Sequence, residues 1–246
     1  MTDALAAWAA SPFTTQELNR TVYRRGVGPA VIVVHEVPGI TPAVLRFADE
    51  VADAGFTVFM PSLVGTPGRA PDAAYLATSL AKVCVAREFS TWAVGHTSSV
   101  VAWLRALARY AHAQVGGSGV GAVGMCFSGG FALGMMVDDL MVAPVLSQPS
   151  LPLPVGKQRS ADLGLSPDDR VVVAQRAAEG CEVLGLRFTG DRLVGERFAS
   201  LRNLLGEAFT AVELPSAKPS DHSVLTEQRD DGAVQTVIEF LRRRLH

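Results

Sequence analysis

The feature that most constrains this chain is an alternation. Short apolar runs rich in β-branched residues alternate with longer stretches of helical period. "AVIVVHE" at 30–36 is apolar almost throughout, the pattern of a strand buried on both faces. "TPAVLRFADEVADAG" at 41–55 reads as a helix that Thr41 can cap, Pro42 can start and Gly55 can end. "FTVFM" at 56–60 is a second strand, stopped by Pro61. Residues 62–96 are less regular and contain the loop signal "GTPGRAPD". A helix follows with Val100, Trp103, Leu104 and Leu107 on one face, then a strand "VGAVGM" at 120–125 and a helix directly after it. Further strands are expected at 140–149, 181–190 and near 208–214, with helices at 166–180, near 195–205 and at the C-terminus. This βαβα order implies a mainly parallel sheet with helices on both faces. No repeat or low-complexity stretch divides residues 1–246, which read as one α/β domain with residues 1–19 as an N-terminal extension.

Composition narrows the function classes. With 48% hydrophobic and 19% charged residues the chain can bury a large core and is too apolar for disorder. A net charge of −2 leaves no electrostatic footprint for nucleic acid. The basic run at 242–244 suits the last turn of a helix. Three widely spaced cysteines, Cys84, Cys126 and Cys181, argue against a disulfide framework and fit a reducing compartment. The absence of CxxC speaks against a zinc site, and no metal or cofactor is expected. The first residues include Asp3 and no early Lys or Arg, a poor signal peptide, and no apolar run reaches membrane-spanning length. A cytoplasmic protein without nucleic-acid or membrane partners is the expectation; oligomeric state is left open.

In sheets of this kind functional groups gather at the carboxyl ends of the strands, where Glu36, Cys126 and Asp191 fall. The stretch "GAVGMCFSGGF" at 121–131 has the form of a nucleophile elbow: strand, tight turn, helix. Such a turn crowds the chain against itself, so the neighbours two before and two after must be small. Gly124 and Ser128 meet that need around Cys126. The helix N-terminus behind the sulfur favours thiolate, and its N–H groups can hold an oxyanion. The bland alternative is a buried thiol packed as a small hydrophobe. Ser128, itself flanked by Cys126 and Gly130, is a second candidate that would need a longer strand. "GVGAVG" at 119–124 matches a dinucleotide fingerprint, but its strand lies inside the motif instead of before it.

A nucleophile needs a base, and the base an orienting acid. Downstream of Cys126 stand two histidines: His222 in the polar loop "SAKPSDHSVL", and His246 at the frayed end. Asp191 follows a strand behind a turn glycine; Asp221, Glu182 and Asp230 are lesser candidates for the acid. An ordinary turn aspartate and a surface histidine are the competing readings. The order nucleophile, acid, histidine is that of α/β hydrolases.

On "VVHEVPGI" (33–40), "VGMCFSGG" (123–130), "RFTGDRLV" (187–194) and "DHSV" (221–224), the chain resembles the dienelactone hydrolase family of α/β hydrolases. It departs from the family's usual Gly at Ser128 and usual Pro at Gly195. The resemblance implies Cys126 as nucleophile, His222 as base, Asp191 as its orienter, and the N–H groups of Val37 and Phe127 as oxyanion hole. Glu36 would contact the resting thiol and take part in switching it to thiolate when substrate arrives. A carboxylate beside a thiol keeps it protonated by like-charge repulsion; the competing role is an ion pair with an arginine. Alternation sends His35 to the opposite face, which makes it structural. The family's namesake substrate carries a carboxylate, for which Arg87 and Arg192 are the candidate cations. The expected function is hydrolysis of a small ester or lactone through an acyl-cysteine. A thioesterase or acyltransferase would use the same site, and a non-catalytic binding or thiol redox-sensor protein would fit the same scaffold.

Overall fold

The computed structural model describes residues 5–16, 18–89, 94–150 and 156–246. Eight strands form one sheet: β1 (Ala9–Thr14), β2 (Asn19–Arg25), β3 (Ala30–Val34), β4 (Thr57–Pro61), β5 (Val120–Met125), β6 (Met141–Ser147), β7 (Val183–Phe188) and β8 (Phe209–Leu214). Their spatial order is β1-β2-β4-β3-β5-β6-β7-β8. From β4 through β8 all neighbours are parallel; β2 joins β4, and β1 joins β2, antiparallel.

The central strands read as two-sided because they are. In β3, Ala30, Ile32 and Val34 face one core while Val31 and Val33 face the other. Helices α1 (Pro42–Asp53) and α8 (Asp231–Leu245) cover the second face. Helices α3 (Ser99–Val115), α4 (Gly129–Met135), α6 (Pro167–Ala178) and α7 (Arg197–Leu205) cover the first. Helix α1 starts as its sequence suggests, with Thr41 Oγ1 accepting from Val44 N–H at 3.3 Å and Pro42 in the first turn.

Three elements lie where the sequence pattern is weak. Strand β1 falls within residues 1–19, and β2 follows directly. As an edge strand β1 is mostly exposed and contains Pro12, so it carries no alternating apolar signal. Helix α2 (Ala73–Val85) occupies part of the irregular stretch, capped by Asp72 accepting from Tyr75 N–H at 2.8 Å. It buries only Tyr75, Ser79 and Val83, too narrow a stripe to announce itself. The short helix α5 (Lys157–Ala161) buries nothing. Among the described residues no helix is long and apolar enough to cross a membrane.

The chain runs from β3 outward to β4 and then back across β3 to β5. The carboxyl ends of β3 and β5 therefore flank the point where strand order reverses, the usual crevice for ligands in such sheets.

Candidate active site

Cys126 follows β5 with φ at +56°, one of two described non-glycine residues in that region. Chain crowding explains the small neighbours: a Cβ on Gly124 would lie 2.2 Å from the Ser128 carbonyl oxygen. Ser128 is fully buried and uses its hydroxyl on the turn. Its Oγ accepts from Met125 N–H at 2.9 Å and lies 3.0 Å from the Val34 carbonyl oxygen. Ser128 is thus a clamp across the elbow and points away from the role of nucleophile. A short 3-10 turn (Cys126–Ser128) leads into α4.

Ser150, after β6, grips Cys126 twice. Its N–H donates to the Cys126 carbonyl at 3.0 Å, and its hydroxyl donates to Sγ at 3.2 Å. Asp191, after β7, is nearly buried and accepts from Leu193 N–H at 2.9 Å through Oδ1. Its Oδ2 meets His222 Nδ1 at 2.7 Å. The loop holding His222 is fixed by Gln228, whose Oε1 accepts from His222 N–H at 3.3 Å and Ser223 N–H at 2.9 Å. The other imidazole nitrogen, Nε2, is buried, and His222 and Cys126 line the same cavity. Burial by itself pulls the His222 pKa down. The charge of Cys126 and the hydrogen bond to Asp191 outweigh it, and the pKa is raised to about 11.

The lesser acid candidates are engaged elsewhere. Asp221 accepts from Ala217 and Lys218 N–H, Glu182 pairs with Arg243 and Arg244, and Asp230 caps α8. His246 packs its ring against Phe56.

Glu36 is buried beyond β3, but its carboxylate does not take up the expected bond to the thiol or the alternative arginine. Oε2 accepts from Gln148 Nε2 at 3.1 Å and from Ser223 Oγ at 2.7 Å, and Oε1 meets Thr226 Oγ1. Desolvation raises the Glu36 pKa, against the lowering effect of the Thr226 and Ser223 hydrogen bonds. The carboxyl group thereby ties the end of β3 to the end of β6 and to the His222 loop. His35 points elsewhere, as alternation requires. Its Nδ1 lies 2.8 Å from the Glu36 carbonyl oxygen, and Nε2 accepts from Leu63 N–H at 3.0 Å. Complete burial lowers its pKa to about 4, so it is neutral and structural.

Cys126, His222 and Glu36 share a cavity of about 400 Å³, whose apolar walls include Leu76, Leu80 and Leu193. Val37 and Phe127 line it beside Cys126. Of the predicted cations, Arg192 is exposed beside Asp191 and does not line the cavity, and the Arg87 side chain lies outside the described residues. A cation that sequence reasoning missed, Arg197, is buried at the start of α7. Its guanidinium donates to the carbonyls of Leu193, Val194 and Arg159. Desolvation lowers its pKa to about 10, opposed by Asp162 and Cys126. Gln148 and Ser150 were also missed; their position directly after a strand was the available signal. Among the described residues no cluster of three His, Cys, Asp or Glu side chains could hold a metal ion.

The fold is shared with solved α/β hydrolases. A dienelactone hydrolase from Anabaena variabilis superposes with a TM-score of 0.66 at 15% identity, covering 97% of this chain and 98% of that one. An α/β serine hydrolase without lid from Xanthomonas campestris gives 0.61 at 16% identity, covering 98% and 96%. A cold-adapted esterase from an Arctic intertidal metagenomic library gives 0.62 at 16%, covering 96% and 93%. No curated protein matches the sequence. The family model described as "Dienelactone hydrolase family" matches residues 20–151. That stretch is more than half of the chain and contains the elbow, so the chain belongs to the dienelactone hydrolase family, an α/β-hydrolase family of ester- and lactone-cleaving enzymes.

Proposed function

We propose that the protein hydrolyses small carboxylic esters or lactones through an acyl-cysteine on Cys126, with His222 as acid and base and Asp191 as its orienter. One observation carries the reading. A cysteine on a positive-φ turn shares a cavity with an imidazole whose far nitrogen is already held at 2.7 Å by a buried aspartate. A purely structural thiol or a redox sensor needs no oriented histidine.

The chemistry follows from the charges. His222 keeps its proton through neutral pH, and a protonated imidazole favours negative charge on the neighbouring sulfur. Sγ attacks the carbonyl carbon, and the oxyanion that forms is held by the N–H groups of Val37 and Phe127. Collapse breaks the carbon–oxygen bond, and the His222 proton goes to the departing oxygen. Water then gives its proton to His222 and attacks the thioester, which frees the acid and restores the sulfur. Asp191 fixes the tautomer and offsets the imidazolium charge throughout.

The test is intact-mass analysis after mixing with p-nitrophenyl acetate. An acetyl adduct on Cys126, absent from Cys126→Ala together with all turnover, is the expected result. Turnover at the parent rate in Cys126→Ala refutes the reading. Added alcohol or thiol acceptors separate hydrolysis from acyl transfer by the product formed.

A further inference from the structure

A second, smaller chamber adjoins the catalytic cavity and shares two walls with it, Phe127 and Ser150. It measures about 50 Å³. The aromatic trio Phe89, Phe127 and Phe131 lines it, with edge-on centroid distances of 5.5 Å for Phe89–Phe127 and 5.7 Å for Phe127–Phe131. Leu163 adds a further apolar wall. Ser150 stands between the two spaces, its hydroxyl on the Cys126 sulfur.

One polar group in this chamber has no partner among the described residues. Ser98 occupies the N-cap of α3, where a serine ordinarily accepts from the helix's own N–H groups. Here its side chain makes no capping bond. Ser98 is 5% exposed, and its Oγ has no hydrogen-bond partner among the described residues. A buried hydroxyl left unpaired is unfavourable unless an ordered water or a ligand completes it, and a ligand atom can take a water's place. Arg197, by contrast, is committed: it holds three backbone carbonyls and has Asp162 to offset it.

The geometry points to this chamber as the acyl subsite, built for a short, uncharged acyl group that carries an oxygen atom. The assignment rests on the hydrolytic reading above. Four groups surround the tetrahedral carbon: the sulfur, the oxyanion, the leaving oxygen and the acyl substituent. The leaving oxygen must lie at His222, which lines the large cavity and not the small one. The alcohol portion therefore occupies the 400 Å³ space, and the acyl substituent is directed past Ser150 into the 50 Å³ chamber. An engineered apolar cavity of ~150 Å³ accepts benzene, so a third of that volume holds roughly two or three non-hydrogen atoms. Ser98 Oγ can donate to an ether or hydroxyl oxygen among them.

The test compares an isosteric pair, p-nitrophenyl methoxyacetate and p-nitrophenyl butyrate, with p-nitrophenyl octanoate as the long-chain member. Pre-steady-state acylation of Cys126 is followed by intact mass, in parent, Ser98→Ala and Leu163→Ala. The parent is expected to acylate at least tenfold faster with butyrate than with octanoate. The methoxyacetate-to-butyrate ratio, which contains the intrinsic reactivity difference, should fall about tenfold in Ser98→Ala, the loss of about one hydrogen bond. Leu163→Ala should narrow the gap between butyrate and octanoate. Equal acylation by butyrate and octanoate in the parent, or an unchanged methoxyacetate-to-butyrate ratio in Ser98→Ala, overturns the subsite. Acylation that never occurs at Cys126 with any of the three esters instead overturns the hydrolytic reading on which it rests.

Discussion

His35 makes acid stability of this protein predictable. Its imidazole is fully buried one residue before Glu36 and two before Val37, and it receives the Leu63 N–H. Its pKa is lowered from 6.5 to about 4 because burial disfavours the cation. For a group whose folded value is depressed in this way, the neutral form supports the fold above the unfolded pKa. That support is lost as pH falls from 6.5 through about 4. A tenfold difference in proton affinity between folded and unfolded chains corresponds to about 1.4 kcal/mol, so the full loss is about 3 kcal/mol, of which about 2 kcal/mol has gone by pH 5. Other groups titrate in the same interval, so the comparison must be differential. His35→Gln offers a neutral acceptor toward Leu63 that does not titrate. Urea unfolding of both proteins at pH 5, 6, 7 and 8 gives two stability curves. The variant starts lower at pH 8 because the bond to the Glu36 carbonyl is changed. Between pH 8 and 5 the parent should lose about 2 kcal/mol more than the variant. His222 is raised instead of lowered, so its contribution fades as pH climbs above 6.5 and is common to both proteins. Parallel curves would refute the argument, because protonation of the buried imidazole would then carry no penalty for the fold.

Further outcomes follow from the same geometry. Asp191→Asn should lower kcat by about 10³–10⁴ with the far-UV circular dichroism unchanged, since the amide offers His222 Nδ1 the wrong partner; a rate within tenfold of the parent would remove Asp191 from the proposed triad. Gly124→Ala should abolish turnover and lower the unfolding midpoint, because its Cβ would meet the Ser128 carbonyl at 2.2 Å. Glu36→Ala leaves the side chains of Gln148, Ser223 and Thr226 without their partner and should cost about 3 kcal/mol by urea unfolding. Glu36→Gln, which keeps the shape, should retain most of that stability, and an equal loss in both variants would show that charge and not connection is what matters. Iodoacetamide should label Cys126 several-fold more slowly near pH 7 in His222→Ala, measured with Cys84 and Cys181 replaced by Ala; an unchanged rate would uncouple the imidazole from the sulfur.

What the sequence disclosed and what it hid divide along a physical line. The elbow was legible because its constraint is local: a chain that turns so tightly must have small residues at 124 and 128, and both lie beside Cys126 in sequence. Strand β5 was legible to the residue for the same reason. The pairing of His222 with Asp191 was legible only as an order along the chain, and the 2.7 Å contact needed two loops to converge over the sheet. Ser98 misleads in sequence, since a serine before a helix looks like a cap, and only the fold shows its hydroxyl turned from the helix. The partners of Glu36 were not legible because they come from positions 148, 223 and 226, which the sheet brings together. Strand β1 stayed hidden because this mostly exposed edge strand offers only Phe13 to the core, too little to write a pattern.

The second positive-φ residue explains how these pieces hold their positions. Gln148, with φ at +34°, follows β6 just as Cys126 follows the neighbouring β5. Backbone held there by a non-glycine residue costs of order 1–3 kcal/mol and persists only where surrounding bonds over-determine it. Both residues are so held. Gln148 N–H donates to the Leu186 carbonyl, while its side chain is gripped by Ser147 at one end and Glu36 at the other. Cys126 is gripped by Ser150, two residues beyond Gln148. The strained turn after β6 therefore sends one residue to Glu36 and the next-but-one to the sulfur. Through Ser223, Glu36 passes that connection on to the loop of His222. The sulfur of Cys126 and the loop of His222 are thus both tied to the turn at the end of β6, which contains neither of them.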